Sequence, residues 1–187
     1  MNELPEHLEN IKRTLKETSY DKTNRVFMSE KTLKVLDFDK LTKWYLHHII
    51  GRKDDTLSSN DAFYSDEEKT FFVEFKNCCI DRKTQRQLKS KIYDSFVIMC
   101  DPQTQISEYV SGFSGNASYS RKNIDYILVY NGTKNTSKSS IREHANNKAQ
   151  IANWGLDYFE GYLFRHVYTY TKEQFEKWLS KNIKRID

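Results

Sequence analysis

The stretch "DAFYSDEEKTFFVEFKN", residues 61–77, decides how the chain is read. Two runs rich in aromatic residues flank the charged tetrad Asp66-Glu67-Glu68-Lys69, the pattern of a hairpin with a short strand, a polar turn and a longer strand. Alternate side chains of a strand share a face. Phe71, Val73 and Phe75 therefore form one face, and Phe72, Glu74 and Lys76 the other. A carboxylate and an ammonium on so apolar a strand cost free energy unless they are paired or bound to a metal. Asp61 opens the first strand, and equal counting about the turn brings it close to Glu74.

Working outward, "IDYILVY" (124–130) reads as a central strand buried on both faces. Between it and the hairpin, residues 83–100 have the spacing of an amphipathic helix with Leu88, Ile92, Phe96 and Met99 inward. The polar segment 101–123 is a long loop, in which Tyr109, Phe113 and Tyr119 suit base stacking or packing equally. Beyond Asn131-Gly132 the pattern gives a helix over 140–154, stopped by Gly155, and a strand within "GYLFRHVYTY" (161–170). A last helix starts at Thr171, with Gln174 placed for a capping box and Phe175, Trp178 and Leu179 inward. At the other end, Leu4, Leu8, Ile11 and Leu15 predict a helix over 3–17, and residues 25–36 fit strand or helix. A further helix runs over 39–50, with Leu41, Tyr45 and Ile49 on one side and Gly51 past its end. Strands alternating with helices give an α/β three-layer sandwich, a mixed central sheet flanked by helices.

The 187 residues suit a single domain. No apolar run approaches the length of a membrane span, and "MNELPEHLEN" lacks the pattern of a secretory signal, so a cytoplasmic protein with no membrane partner is expected. Cys78, Cys79 and Cys100 make a poor disulfide framework and read as free, mostly buried thiols. A net charge of +4 is compatible with a polyanionic partner. No G-x-S-x-G follows a strand and no cysteine has an evident histidine partner, which argues against a serine or cysteine hydrolase; "SGFSGNAS" lacks the lysine and the strand–helix setting of a phosphate-binding loop.

The chemistry that remains is that of the hairpin. Asp61, Glu74 and the main-chain carbonyl of Phe75 form a hard, oxygen-rich donor set suited to Mg²⁺ or Mn²⁺. Lys76 beside it is placed to polarise a water or to stabilise charge on a phosphate oxygen. The rival reading is a cross-strand ion pair at a sheet edge.

Asp61 followed by Glu74-Phe75-Lys76 in an α/β setting resembles the PD-(D/E)XK, restriction-endonuclease-like nuclease superfamily. The resemblance covers roughly residues 38–130. It implies a nuclease-like core over 38–187 behind an N-terminal helical extension, 1–37. It also implies a Mg²⁺- or Mn²⁺-dependent endonuclease or exonuclease acting on DNA, with Asp61, Glu74 and Lys76 catalytic. The helix after "NCC" should then face nucleic acid, which singles out Arg82, Arg86 and Lys89, and a homodimer would fit enzymes that cut both strands. The sequence departs from the family at Asn60, where the family has proline. A glutamine–tyrosine pair four apart, present in some members, is Gln87 and Lys91 here and carries nothing over. Glu30, His47 and His48 are weaker candidates for accessory roles. A second class remains open: a non-catalytic nucleic-acid-binding or protein-interaction module on the same fold, its acidic cluster structural. Metal dependence discriminates the two.

Overall fold

The computed structural model of the chain describes residues 4–52, 56–135 and 154–184. The hairpin folds as the alternation predicts: β5 (Ala62–Ser65) and β6 (Thr70–Lys76) pair antiparallel, with Ala62 opposite Val73 and Ser65 opposite Thr70. Asp66 closes the turn, its Oδ1 accepting the N–H groups of Glu68 and Lys69 at 2.8 and 2.7 Å. β6 then pairs in parallel with β7 (Ile124–Tyr130), and β7 with β8 (Val167–Thr171). On the other side β5 pairs antiparallel with β4 (Lys34–Asp37), and β4 with β1 (Lys12–Thr14). The result is a mixed six-stranded sheet in the order β1-β4-β5-β6-β7-β8.

The N-terminal segment corrects two expectations. Residues 3–17 form no continuous helix. A short α1 (Glu6–Asn10) gives way to β1 and then α2 (Leu15–Thr18), because Thr14 and Glu17 cap the start of α2 reciprocally. The apolar period persists across this break: Leu8 and Ile11 join the core on one side of the sheet, Leu15 that on the other. The stretch before residue 38 is thus no helical extension. It supplies two strands to the sheet and a small separate hairpin, β2 (Tyr20–Asp21) with β3 (Val26–Phe27).

Helices cover both faces. On one side, α3 (Phe38–Tyr45) and the long α4 (Arg82–Cys100) pack over Phe63, Phe72, Tyr126 and Leu128. On the other, α2 and α6 (Lys172–Asn182) cover Phe71, Val73, Phe75, Ile127 and Val129. This is an α/β fold with helices flanking a mixed sheet, compatible with three layers. The expected helix over 39–50 is α3 followed by a π-helical turn, Leu46–Ile50, which ends at Gly51 with φ 74°. Thr171 caps α6, with Gln174 completing the box.

Segment 101–123 is less of a loop than its composition suggests. It holds short 3₁₀ turns and α5 (Ala117–Asn123). Tyr109 is a packing anchor, its ring tilted against that of Phe63, with its hydroxyl accepting the Ser65 N–H at 3.3 Å. The first six residues of "GYLFRHVYTY" form no strand, which starts only at Val167. The helix expected over 140–154 lies almost wholly outside the described residues. The thiols are also corrected: Cys78 and Cys79 are exposed and Cys100 is partly buried. Among the described residues, no helix is long and apolar enough to cross a membrane.

Candidate functional site

The antiparallel register of β5 and β6, carried one residue past its last pair, sets Asp61 beside Glu74. The ladder ends there with an exchange of roles. The Asp61 N–H donates to the Val73 carbonyl at 3.2 Å, and the Phe75 N–H donates to Asp61 Oδ2 at 2.7 Å. The Asp61 side chain thus stands in for a strand that has ended, and both carboxylates are held at one end of the sheet. Asn60, preceding it, is fixed by Ser95 on α4, whose hydroxyl accepts the Asn60 N–H at 2.8 Å.

Glu74 is completely buried, on the face of β6 that α4 covers. Its Oε1 lies 2.6 Å from Lys76 Nζ and 2.8 Å from Lys91 Nζ. Lys91, reaching in from α4, also contacts Glu74 Oε2 at 3.0 Å and Asp61 Oδ1 at 3.1 Å. Its ammonium bridges the two carboxylates. Burial, then Asp61, push the Glu74 carboxyl upward, while Lys91 and Lys76 pull it down. Burial alone would lower the Lys91 ammonium, but Asp61, then Glu74 and Asp39, outweigh that and hold it well above its ordinary value.

Asp39, in the first turn of α3, is the third acid of the neighbourhood. It is solvent-accessible, and its carboxylate accepts the Ser59 hydroxyl at 2.6 Å. The atoms packed around it, and then Asp61, raise its pKa. Tyr126 is a buried neighbour of the acid pair. Fully buried, its hydroxyl is pushed well above the ordinary phenol range by desolvation and by Glu74 and Asp61, and donates to Asn60 Oδ1 at 3.4 Å.

An open cleft of about 390 Å³ leads to this cluster, lined by Asp39, Asp61, Phe75 and Lys76 on one side and by the β2–β3 hairpin on the other. The hairpin is tied down at the end of β6. Asn77 Nδ2 donates to Asp21 Oδ2 at 2.8 Å, and Asn131 Nδ2 donates to Asn77 Oδ1 at 2.6 Å.

The structure therefore brings Asp61, Glu74, Phe75 and Lys76 together. It does not bring Arg82, Arg86 and Lys89 to them. At 3.6 residues per turn these three lie roughly half a turn around α4 from Lys91. Glu30 is remote, paired with Lys16 and Lys172. His47 and His48 are both exposed, edge to face, with His48 stacked on Trp44. Sequence reasoning missed Lys91 and Asp39. For Lys91 a signal existed: it stands four residues after Gln87, so that both lie near one side of α4. For Asp39 the signal was weak, an acid in a helix's first turn being ordinary.

Among the described residues, no group of three or more His, Cys, Asp or Glu side chains is arranged to hold a metal ion. A divalent cation would rest on Asp61, Glu74 and a main-chain carbonyl. These are hard oxygen donors, and Glu74 Oε1, though fully buried, makes ionic contacts without a well-directed hydrogen bond. The donor set fits such an ion on one condition, that Lys91 gives up the bridging position. Comparison of the chain with protein-family models, curated proteins and solved structures finds no match.

Proposed function

We propose that the protein is a metal-dependent nuclease of the restriction-endonuclease-like type, hydrolysing phosphodiester bonds of DNA. The observation that carries the reading is that Asp61 and Lys76 line one open cleft, with the buried Glu74 beside both of them. An ion pair serving only to close the end of a hairpin has no need of a cleft.

Asp61 and Glu74, with the Phe75 carbonyl, would hold Mg²⁺ or Mn²⁺. When bound, the ion would supply a polarised water and charge stabilisation at the phosphate. The chain's own residues do the remainder. Glu74 fixes the Lys76 ammonium, which lines the cleft and can donate to a phosphate oxygen as charge develops there. Asp61 is oriented by the Phe75 N–H, so its carboxylate cannot rotate freely. The β2–β3 hairpin walls the cleft and restricts the direction from which a strand can enter.

A second reading has one observation in its favour. Lys91 and Lys76 together neutralise Asp61 and Glu74 without any ion, as they would in a binding module with a structural acidic cluster. The deciding experiment incubates linear, circular and single-stranded DNA with Mg²⁺ or Mn²⁺, with EDTA and the Glu74→Ala protein as controls. Metal-dependent cutting lost in that variant supports the nuclease. Absence of cutting on all three substrates turns the reading to the binding module.

A further inference from the structure

We propose that Lys91 is a resident counter-cation in the acidic site, and that a divalent metal enters only by displacing it. The inference deepens the nuclease reading and rests on it for the identity of the ligand. Its basis is geometric. The Lys91 ammonium lies within 3.1 Å of Asp61 Oδ1 and within 3.0 Å of both Glu74 oxygens. That is the position from which one cation reaches both carboxylates. An ammonium and a divalent ion cannot share it, because like charges so close in a poorly hydrated setting repel strongly.

The two lysines differ in what they hold. Among the described residues Lys76 is ion-paired with Glu74 and not with Asp61; it comes from the same strand as Glu74 and lines the cleft. Lys91 comes from α4 on a flexible four-carbon stem and bridges two strands. It can leave without breaking the sheet. Asp39 offers it a destination: a carboxylate at the cleft wall, near enough to act electrostatically on Lys91. The empty-handed protein is then a self-neutralised cluster, stable without metal. The loaded protein has the ammonium turned toward Asp39 and the cleft, where it could meet a phosphate.

The test is calorimetric titration of the full chain with Mn²⁺, comparing wild type, Lys91→Met and Lys91→Gln, with the thermal midpoint of each measured with and without the ion. Without metal both variants should melt below wild type, since the buried Glu74 carboxylate loses a partner. Mn²⁺ should bind the variants about tenfold or more tightly than wild type, and should raise their midpoints more. Equal or weaker Mn²⁺ affinity in whichever variant folds, or no binding by any of the proteins, overturns the proposal. Parallel cleavage assays separate the two readings. Tighter Mn²⁺ binding with no cleavage by any protein keeps the displacement and removes the nuclease. Metal-dependent cleavage by wild type with unchanged affinity in the variants does the reverse.

Discussion

The carboxylate of Asp61 accepts the main-chain N–H of Phe75 at 2.7 Å, fourteen residues along the chain. A side chain here completes a backbone ladder that has run out of strand, and the same side chain is a candidate metal ligand. The two duties can be separated. Asp61→Asn keeps an oxygen for the Phe75 N–H and should cost little stability, yet should abolish metal-dependent cleavage. Asp61→Ala removes both and should also destabilise the fold by about 1–2 kcal/mol, through the unmet N–H and the lost partner of Lys91. Urea denaturation beside cleavage distinguishes them. Equal stability of the two variants would sink the structural half of the assignment.

Lys76→Ala should stop cleavage while leaving the fold and DNA binding largely intact. The reason is that Glu74 keeps Lys91 as an ionic partner when Lys76 is gone. Circular dichroism and a gel-shift assay with the variant are the controls. Cleavage at the wild-type rate would show that Lys76 has no part in the chemistry.

The hairpin over the cleft should loosen in acid. Burial opposes the shift, but hydrogen bonds from Asn24, Asn77 and Thr23 lower the Asp21 carboxyl from 3.8 to about 2. A carboxyl depressed on folding contributes stability that is fully present above its unfolded value and disappears as pH falls through the folded one. The tie to Asn77 should therefore be intact above about pH 4 and be lost on approaching about pH 2. Amide signals of residues 20–27, followed by NMR through this window, should move together in wild type. In Asp21→Asn that movement should be absent.

Thiol reactivity should divide unevenly. Cys78 and Cys79 are exposed, whereas burial pushes the Cys100 thiol up to about 11 and withholds the reactive thiolate. Mass spectrometry after brief treatment with a maleimide should find two adducts, with a third only on long exposure. Because Cys78 lines the cleft, a bulky adduct there should block cleavage, and Cys78→Ser should relieve much of the inhibition. Rapid modification at Cys100 would contradict the burial.

The hairpin, the central strand β7 and the capped α6 were legible because each is specified locally, by alternation, by an unbroken apolar run, or by a capping box. The acid pair with Lys76 was legible for the same reason: strand alternation and a turn of known length fix the face and the register. What escaped was non-local. The 3.6-residue period of Leu4, Leu8, Ile11 and Leu15 is genuine, but only Leu8 and Leu15 fall in helices, two short ones on opposite faces of a sheet, and periodicity alone does not reveal an intervening strand that finds its partner at residues 34–36. Lys91 escaped because a lysine beside the apolar stripe of a helix normally reaches for solvent, and only the tertiary fold turns it inward. The basic triad on α4 shows the converse: Arg82, Arg86 and Lys89 share a face, but the chain alone does not say which way that face turns.

The strand β1 has a practical reach beyond the site. A fragment beginning near residue 38 would look, from its motifs, like a complete catalytic unit. It would nonetheless lose β4, leaving the β5 edge of the sheet bare, with Phe63 and Phe72 stripped of Leu36 and Leu8. Unpaired apolar edges recruit other chains. Shortened versions should therefore precipitate unless they start before Lys12, and an insoluble fragment would say nothing about whether the chemistry is real.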